Sequence, residues 1–292
     1  MKILLTGHRG YIGKVMKAYL QTLGHEVDGF EWSDGSFPDL AGYNHVIHLG
    51  ANSSTTETDV ERLMVMNHDF SCRMLIACNQ QGVDLTYASS ASVYGNTEGA
   101  GIEPLNPYAW TKYLFDRLVE KNLSRKLDIA VRGFRIFNVW GVPAAELHKK
   151  DQASLFTKFH NKDKVVLFKG SEDIKRDFIH VTDVVKILTK MLSNTKSGIF
   201  DLGTSVQRSF AEVGNVIVES EDYLPTEIEW VDFPEHLKGR YQYNTKAHNS
   251  KLIKEIGPYK FRMIEDGDEP SDYIATHGTV MINETINNHT SY

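Results

Sequence analysis

Apolar and polar positions follow two rhythms along the first half of the chain. Lys2–Thr6 is a short apolar run that stops at Gly7. Gly10–Leu23 then carries Ile12, Val15, Met16, Tyr19, Leu20 and Leu23 at helical spacing, which predicts an amphipathic helix. His25–Glu31 and His45–Leu49 read as strands. Val60–Gln80 predicts one long amphipathic helix, with apolar residues at 63, 64, 66, 70, 74, 75 and 77. Asp84–Ala88 predicts a strand, Tyr108–Lys121 a helix and Asp128–Phe137 another strand. Strands alternating with helices predict an α/β fold built on a parallel, doubly wound sheet.

After Gly141 the rhythm becomes irregular. Helical and extended pieces mix over Ala153–His160, Val165–Phe168, Arg176–Val181, Thr182–Leu192, Gly198–Leu202, Phe210–Glu219 and Glu227–Val231. This predicts a smaller mixed lobe that exchanges elements with the first. From about Glu265 the chain is acidic and then rich in Asn and Thr, and Gly267-Asp268-Glu269-Pro270-Ser271 interrupts any helix.

Composition narrows the partners. With 292 residues the chain has room for one large domain or two unequal ones. A net charge of −6 argues against a nucleic-acid partner, while a local basic pocket would suffice for a phosphorylated substrate. No apolar run approaches the roughly 18 residues that span a bilayer. Met1 leads into Lys2-Ile3-Leu4-Leu5-Thr6, too short for a signal-peptide core, so a cytoplasmic protein without a membrane partner is expected. Cys72 and Cys78 lie six apart on a predicted helix and do not face each other; both are expected as buried packing residues. No Cys/His spacing predicts a metal site.

Candidate chemistry begins at Gly7-His8-Arg9-Gly10-Tyr11-Ile12-Gly13, which follows a predicted strand and opens a predicted helix. Glycines there allow a tight turn and close approach of a pyrophosphate, which the free N–H groups of the helix N-terminus would hold. Glu31 ends the second strand, where a carboxylate would accept hydrogen bonds from an adenosine ribose. Arg9 could instead pair with a 2′-phosphate, so the two residues pull toward NAD and NADP respectively. Tyr108 and Lys112 stand four apart, on one face of the predicted helix. An ammonium there favours a phenolate that can take a carbinol proton while hydride leaves for nicotinamide. Tyr87-Ala88-Ser89-Ser90-Ala91-Ser92-Val93-Tyr94-Gly95 follows a strand and offers a serine to the same carbinol oxygen.

The set formed by Gly7–Gly13, Val46-Ile47-His48-Leu49-Gly50-Ala51, Ser90, Tyr108 and Lys112 resembles the extended short-chain dehydrogenase/reductase family. That resemblance implies a Rossmann domain with a smaller substrate-binding lobe and Ser90, Tyr108 and Lys112 as catalytic triad. It implies a dinucleotide held by Gly7, Arg9, Gly10, Tyr11, Ile12, Gly13, Glu31, Leu49, Gly50, Ala51, Asn67, Tyr108 and Lys112. The expected division is residues 1–140 plus about 177–203 for the dinucleotide-binding domain. Residues 141–176 plus about 204–262 form the substrate lobe, and 263–292 a divergent tail.

Ser53–Glu57, Gly133–Val139, His148-Lys149, Gly170–Phe178, Ser197–Gly203 and Leu237–Gln242 are similar to the nucleotide-sugar epimerases of that family that act on ADP-linked glycero-manno-heptose. The resemblance implies that hydride leaves C6 for a bound cofactor, the carbonyl turns over, and hydride returns to the other face. Lys149 matches a second acid/base, and Ser53, Ser90, Asn138, Lys149, Arg176 and Arg240 match substrate contacts on a nucleotide-diphosphate sugar. A homo-oligomer is expected. Between Trp32 and His45 only a short linker stands where the family usually has a strand and helix that supply a basic residue for the 2′-phosphate. NADP is the expected cofactor with NAD left open, and Arg9 is the candidate that would substitute. The alternatives are a 4-epimerase, dehydratase or reductase of the same family, or a non-catalytic NAD(P)-binding module. Ala91-Ser92 stands in place of the dehydratases' Asp-Glu pair, which argues against elimination.

Overall fold

The structure is a computed structural model that describes residues 1–97, 101–124, 127–141, 164–219, 227–239 and 241–267. The strands are β1 (Lys2–Thr6), β2 (Glu26–Phe30), β3 (His45–His48), β4 (Asp84–Ser90), β5 (Val131–Ile136), β6 (Asn138–Trp140), β7 (Val165–Phe168), β8 (Lys175–His180), β9 (Gly198–Leu202), β10 (Gln207–Ser209) and β11 (Ile228–Val231). The helices are α1 (Tyr11–Thr22), α2 (Val60–Leu63), α3 (Phe70–Gln81), α4 (Pro107–Leu123), α5 (Val181–Lys190), α6 (Phe210–Glu219) and α7 (Ser250–Ile256).

Six strands form one sheet in the order β2-β1-β3-β4-β5-β9, and every pair in it is parallel. Such a sheet is covered on both faces, so its strands are apolar almost throughout. Successive side chains point to opposite faces. Ile3 and Leu5 accordingly join Val15, Met16, Leu20, Val184 and Leu188 in the core under α1 and α5. Leu4 joins Val46, Met74, Leu85, Phe115 and Val131 in the core under α3 and α4. The chain leaves β1 toward β2 and returns to β3 on the other side, which opens a crevice at the carboxyl ends of β1 and β3.

A second, smaller assembly holds the three-stranded order β10-β8-β6 and the pair β11-β7. Its core contains Trp140, Leu167, Phe178, Phe210, Val213 and Ile217. Asp177 of β8 ties this assembly to the end of β9: its carboxylate accepts from Thr204 N at 2.8 Å, Ser205 N at 2.8 Å and Ala247 N at 3.1 Å.

Three elements differ from the expectation. The helix expected over 60–80 is broken by a π-helical turn at Met64–Asp69 between α2 and α3. The strand expected over 128–137 is shorter, β5 in the large sheet, and directly after it an unexpected strand, β6, leaves that sheet to pair with β8. Between β2 and β3 there is a single 3-10 turn, Trp32–Asp34, and no strand, so β2 is the sheet edge, as the short linker implied. The element expected at 153–160 and most of the expected tail lie outside the described residues. Among the described residues, Cys72 and Cys78 are free, and no helix is long and apolar enough to cross a membrane.

Candidate active site

The crevice is a cavity of about 500 Å³. It runs from the glycine turn, past Leu49, Gly50 and Ala51, to Ser53–Thr56, Ala88–Ser90, Tyr108, Lys112 and 136–139.

At one end the walls are mostly backbone. Gly7 has φ +72, and a Cβ there would meet Gly50 N at 2.6 Å. A Cβ on Gly13 would meet Gly7 O at 2.0 Å, so only glycine lets α1 start this close to β1. Gly10 caps α1 without a side-chain hydrogen bond, and the first turn holds no acidic residue. A helix start with no side-chain cap and no acid in its first turn is a fit for the diphosphate of a dinucleotide. The Tyr11 hydroxyl donates to Gly141 O at 2.5 Å and ties the turn to the segment after β6.

Glu31 lines this end, with its carboxylate accepting from Arg9 N at 2.6 Å and lying 3.3 Å from His8 Nδ1. Arg9 is not a free cation in the turn: its guanidinium leans out, 63 % exposed, and lies 3.5 Å from Asp34. Two carboxylates thus stand at this end, Glu31 on the Arg9 backbone N–H and Asp34 on its guanidinium.

At the other end the walls are side chains on rigid elements. Asn106 caps α4 by accepting from Ala109 N at 2.9 Å, and Pro107 starts the helix, which places Tyr108 in the first turn. Ser90 ends β4, and its Oγ accepts from Ser92 N at 3.2 Å and Ser92 Oγ at 2.8 Å. Burial raises the Tyr108 pKa, and a hydrogen bond with Ser90 opposes that rise. Lys112 is buried; its Nζ donates to Ala88 O at 2.8 Å and stands 5.9 Å from the Tyr108 ring centroid. Burial pulls the Lys112 pKa down to about 8, against the pull of Asp116. Asn138, whose Nδ2 donates to Asp177 O at 3.2 Å, completes the wall.

Residues 3–203 match the NAD dependent epimerase/dehydratase family. The chain belongs to the NAD dependent epimerase/dehydratase family. It is 40% identical over 219 residues to an ADP-L-glycero-D-manno-heptose-6-epimerase of Brachyspira hyodysenteriae, covering 71% of this chain and 68% of that one. The Helicobacter pylori ADP-L-glycero-D-manno-heptose-6-epimerase shares the fold, with TM-score 0.77 and 24% identity over 91% of this chain and 93% of that one. So does a Stenotrophomonas maltophila UDP-glucose-4-epimerase with bound NAD, with TM-score 0.78 and 21% identity over 99% of each chain.

Within this NAD dependent epimerase/dehydratase, two residues expected at the site do not line the described cavity wall. Asn67 does not line the cavity. It is 1% exposed in the π-helical turn, where Oδ1 accepts from Asn52 N at 2.8 Å and Nδ2 donates to Asn52 O at 2.9 Å and Thr111 Oγ1 at 3.2 Å. It pins the loop that carries Ser53 and so acts through other residues; π turns recur at such places. Arg176 is absent from the cavity wall: it is 5% exposed, its guanidinium held between the rings of Phe210 at 5.3 Å and Tyr241 at 5.6 Å. The side of β8 that carries Arg176 faces the small-lobe core; its role as a diphosphate contact stays a proposal. Lys149 and Arg240 lie outside the described residues. Ser54, Thr55, Thr56 and Val139 line the cavity although the sequence reading singled out only Ser53 and Asn138 beside them; the unbroken Ser/Thr run was the available signal.

Proposed function

We propose that the protein is an NAD-dependent nucleotide-sugar epimerase that inverts a carbinol carbon, with C6 of an ADP-linked glycero-manno-heptose as its substrate centre. The observation that carries the reading is the meeting of Ser90, Tyr108 and Lys112 in one cavity with an uncapped glycine turn. The 40% identity to an enzyme named for this reaction supports the sugar.

A nicotinamide dinucleotide held along the Gly7–Gly13 turn, Glu31, Leu49–Ala51 and Lys112 would supply the hydride acceptor and donor. The Tyr108 phenolate takes the hydroxyl proton as the C–H hydride departs, leaving a carbonyl; once the carbonyl has turned its other face, a proton returns to oxygen and the hydride to the opposite face of carbon, so the centre is inverted and no cofactor is consumed. Ser90 holds the same oxygen, and the Lys112 ammonium favours the phenolate that burial alone would disfavour. Lys149 stays proposed as the second acid/base and Arg240 as a diphosphate contact. The expected division into a dinucleotide-binding domain and a substrate lobe goes with this reading.

NAD rather than the expected NADP fits the adenosine end. Glu31 and Asp34 would repel a 2′-phosphate, and Arg9 is already engaged by Asp34. A second copy of the chain is the proposed partner. Val60, Val65, Trp110 and Leu114, exposed by 52%, 41%, 49% and 39%, lie on α2, the π turn and α4, which pack side by side. Such an apolar strip is suited to a self-interface.

The test is incubation with ADP-D-glycero-D-manno-heptose and NMR of C6. Inversion is expected. No inversion there, with turnover of a UDP-, GDP- or dTDP-sugar instead, would keep the chemistry and remove the heptose.

A further inference from the structure

Beneath the Tyr108–Lys112 pair lies a buried charge cluster that the reaction as described does not use. Asp116 is one helical turn beyond Lys112 on α4 and fully buried. Its Oδ2 accepts from Arg135 Nε at 2.8 Å and from Ser89 Oγ at 2.9 Å, and its Oδ1 accepts from Tyr87 OH at 2.9 Å. All three partners donate, which is the arrangement an ionised carboxylate requires. Arg135 has a second line of support: its Nη1 donates to Tyr94 OH at 2.9 Å, and that hydroxyl donates to Asp201 Oδ1 at 2.5 Å. Two buried cations, Lys112 and Arg135, thus share Asp116, which pairs directly with Arg135 and lies one helical turn from Lys112, while Asp201 is reached from Arg135 only through the Tyr94 hydroxyl.

We propose that Asp116 is a positioning residue for the reaction, the counter-charge that keeps the Lys112 ammonium protonated under the catalytic tyrosine. The proposal rests on Tyr108 and Lys112 being the proton-handling pair. Among the described residues, the other groups near Lys112 are neutral or oppose its charge. On its own helix Tyr108 is a phenol. On β3, His48 is locked between Thr6 Oγ1 at 2.6 Å and Ser71 Oγ at 2.9 Å, and burial together with the Lys112 charge pushes its pKa down to about 3. On β4, Tyr87 and Ser89 give their protons to Asp116, and the Ala88 carbonyl offers only a dipole. On β5, Arg135 is a like charge. A fully buried lysine without a counter-charge titrates at about 5–6, where it would no longer favour a phenolate at neutral pH.

The experiment reads Lys112 directly, so it does not depend on the sugar being right. Protein labelled with 13C at lysine Cε is titrated by NMR, the Lys112 signal being assigned by its loss in Lys112→Met. Wild type is expected to show a midpoint of about 8, Asp116→Asn a midpoint at least about one pH unit lower, and Asp116→Glu a return toward wild type. The alkaline limb of the kcat profile should move with the midpoint, whereas a purely structural role would lower kcat at every pH without moving that limb. Equal midpoints in wild type and Asp116→Asn overturn the proposal. Should Asp116→Asn not fold, the wild-type midpoint decides: above pH 7 supports the counter-charge, at or below pH 7 overturns it. A shifted midpoint in a protein that turns over no nucleotide sugar would keep the counter-charge and refute the proposed function.

Discussion

The two ends of the cavity are built on opposite plans. The adenosine end is backbone: three glycines, an uncapped helix start, and polar side chains near the surface whose contacts are largely with each other. The chemical end is side chain: Ser90, Tyr108 and Lys112 stand on the tip of a central strand and the first turns of α4, with a buried charge cluster behind them. The first plan needs only shape and a helix terminus to hold a diphosphate. The second must fix donors and acceptors at set distances and keep one lysine charged away from water. Changes at the chemical end should therefore strike turnover, and changes at the adenosine end should strike cofactor choice.

The sharpest break between the ends is Tyr108→Phe. Turnover should fall on the order of 10³-fold, the scale of a lost general acid/base, while NAD binds nearly as before. Turnover within tenfold of wild type would remove Tyr108 from the chemistry and bring back a non-catalytic module.

Glu31→Ala probes the other end. The loss of a charged hydrogen-bond acceptor should weaken NAD about tenfold, with kcat at saturating NAD almost unchanged. NADP should weaken less or improve, since one repelling carboxylate is gone. If NAD and NADP affinities fall together, Glu31 does not select between them, and the NAD preference drawn from its geometry is wrong.

Lys112→Met separates stability from function. The Lys112 pKa in the fold, about 8, lies below the ordinary lysine value of 10.5. Below about pH 8 both folded and unfolded chains carry the charge, and burying it opposes folding. Between about 8 and 10.5 only the unfolded chain keeps the proton, so the lysine's penalty shrinks as pH rises. Lys112→Met should therefore raise Tm by a few degrees at pH 7, lose that gain toward pH 10, and abolish most turnover. A lower Tm at pH 7 would mean that the Ala88 contact outweighs the cost of the buried charge.

The smallest expected effect belongs to Asn67→Ala. It should raise KM for the sugar nucleotide several-fold through the loosened Asn52–Thr56 loop, with little change in kcat. A fall in kcat with unchanged KM would show that Asn67 serves the chemical step instead.

The same division marks what could be read from sequence. Buried parallel strands are continuous apolar runs bounded by turns, and β1, β3, β4 and β9 were legible for that reason. The glycine turn and the Tyr108–Lys112 spacing were legible because each is local. The π turn was not: apolar residues at 63, 64, 66 and 70 continue the stripe across it, and nothing in the period reveals that Asn67 swings inward. The split between β5 and β6 was hidden because Phe137 prolongs the apolar run through the point where the chain changes sheets. The ring contacts of Arg176 with Phe210 and Tyr241 were not legible, because both rings are distant in sequence and such a contact leaves no local pattern. Arg9 shows the same limit in miniature: its pairing with Asp34 depends on a turn that only the fold brings close.

The central claim is that one cavity takes a hydride out and puts the same hydride back. The most direct test is a substrate deuterated at C6 of the heptose, turned over with NAD in ordinary water and analysed by mass spectrometry and NMR. The account predicts an inverted product that retains its deuterium at C6. An inverted product carrying protium at C6 would mean exchange with solvent, and would contradict hydride transfer and return within this cavity.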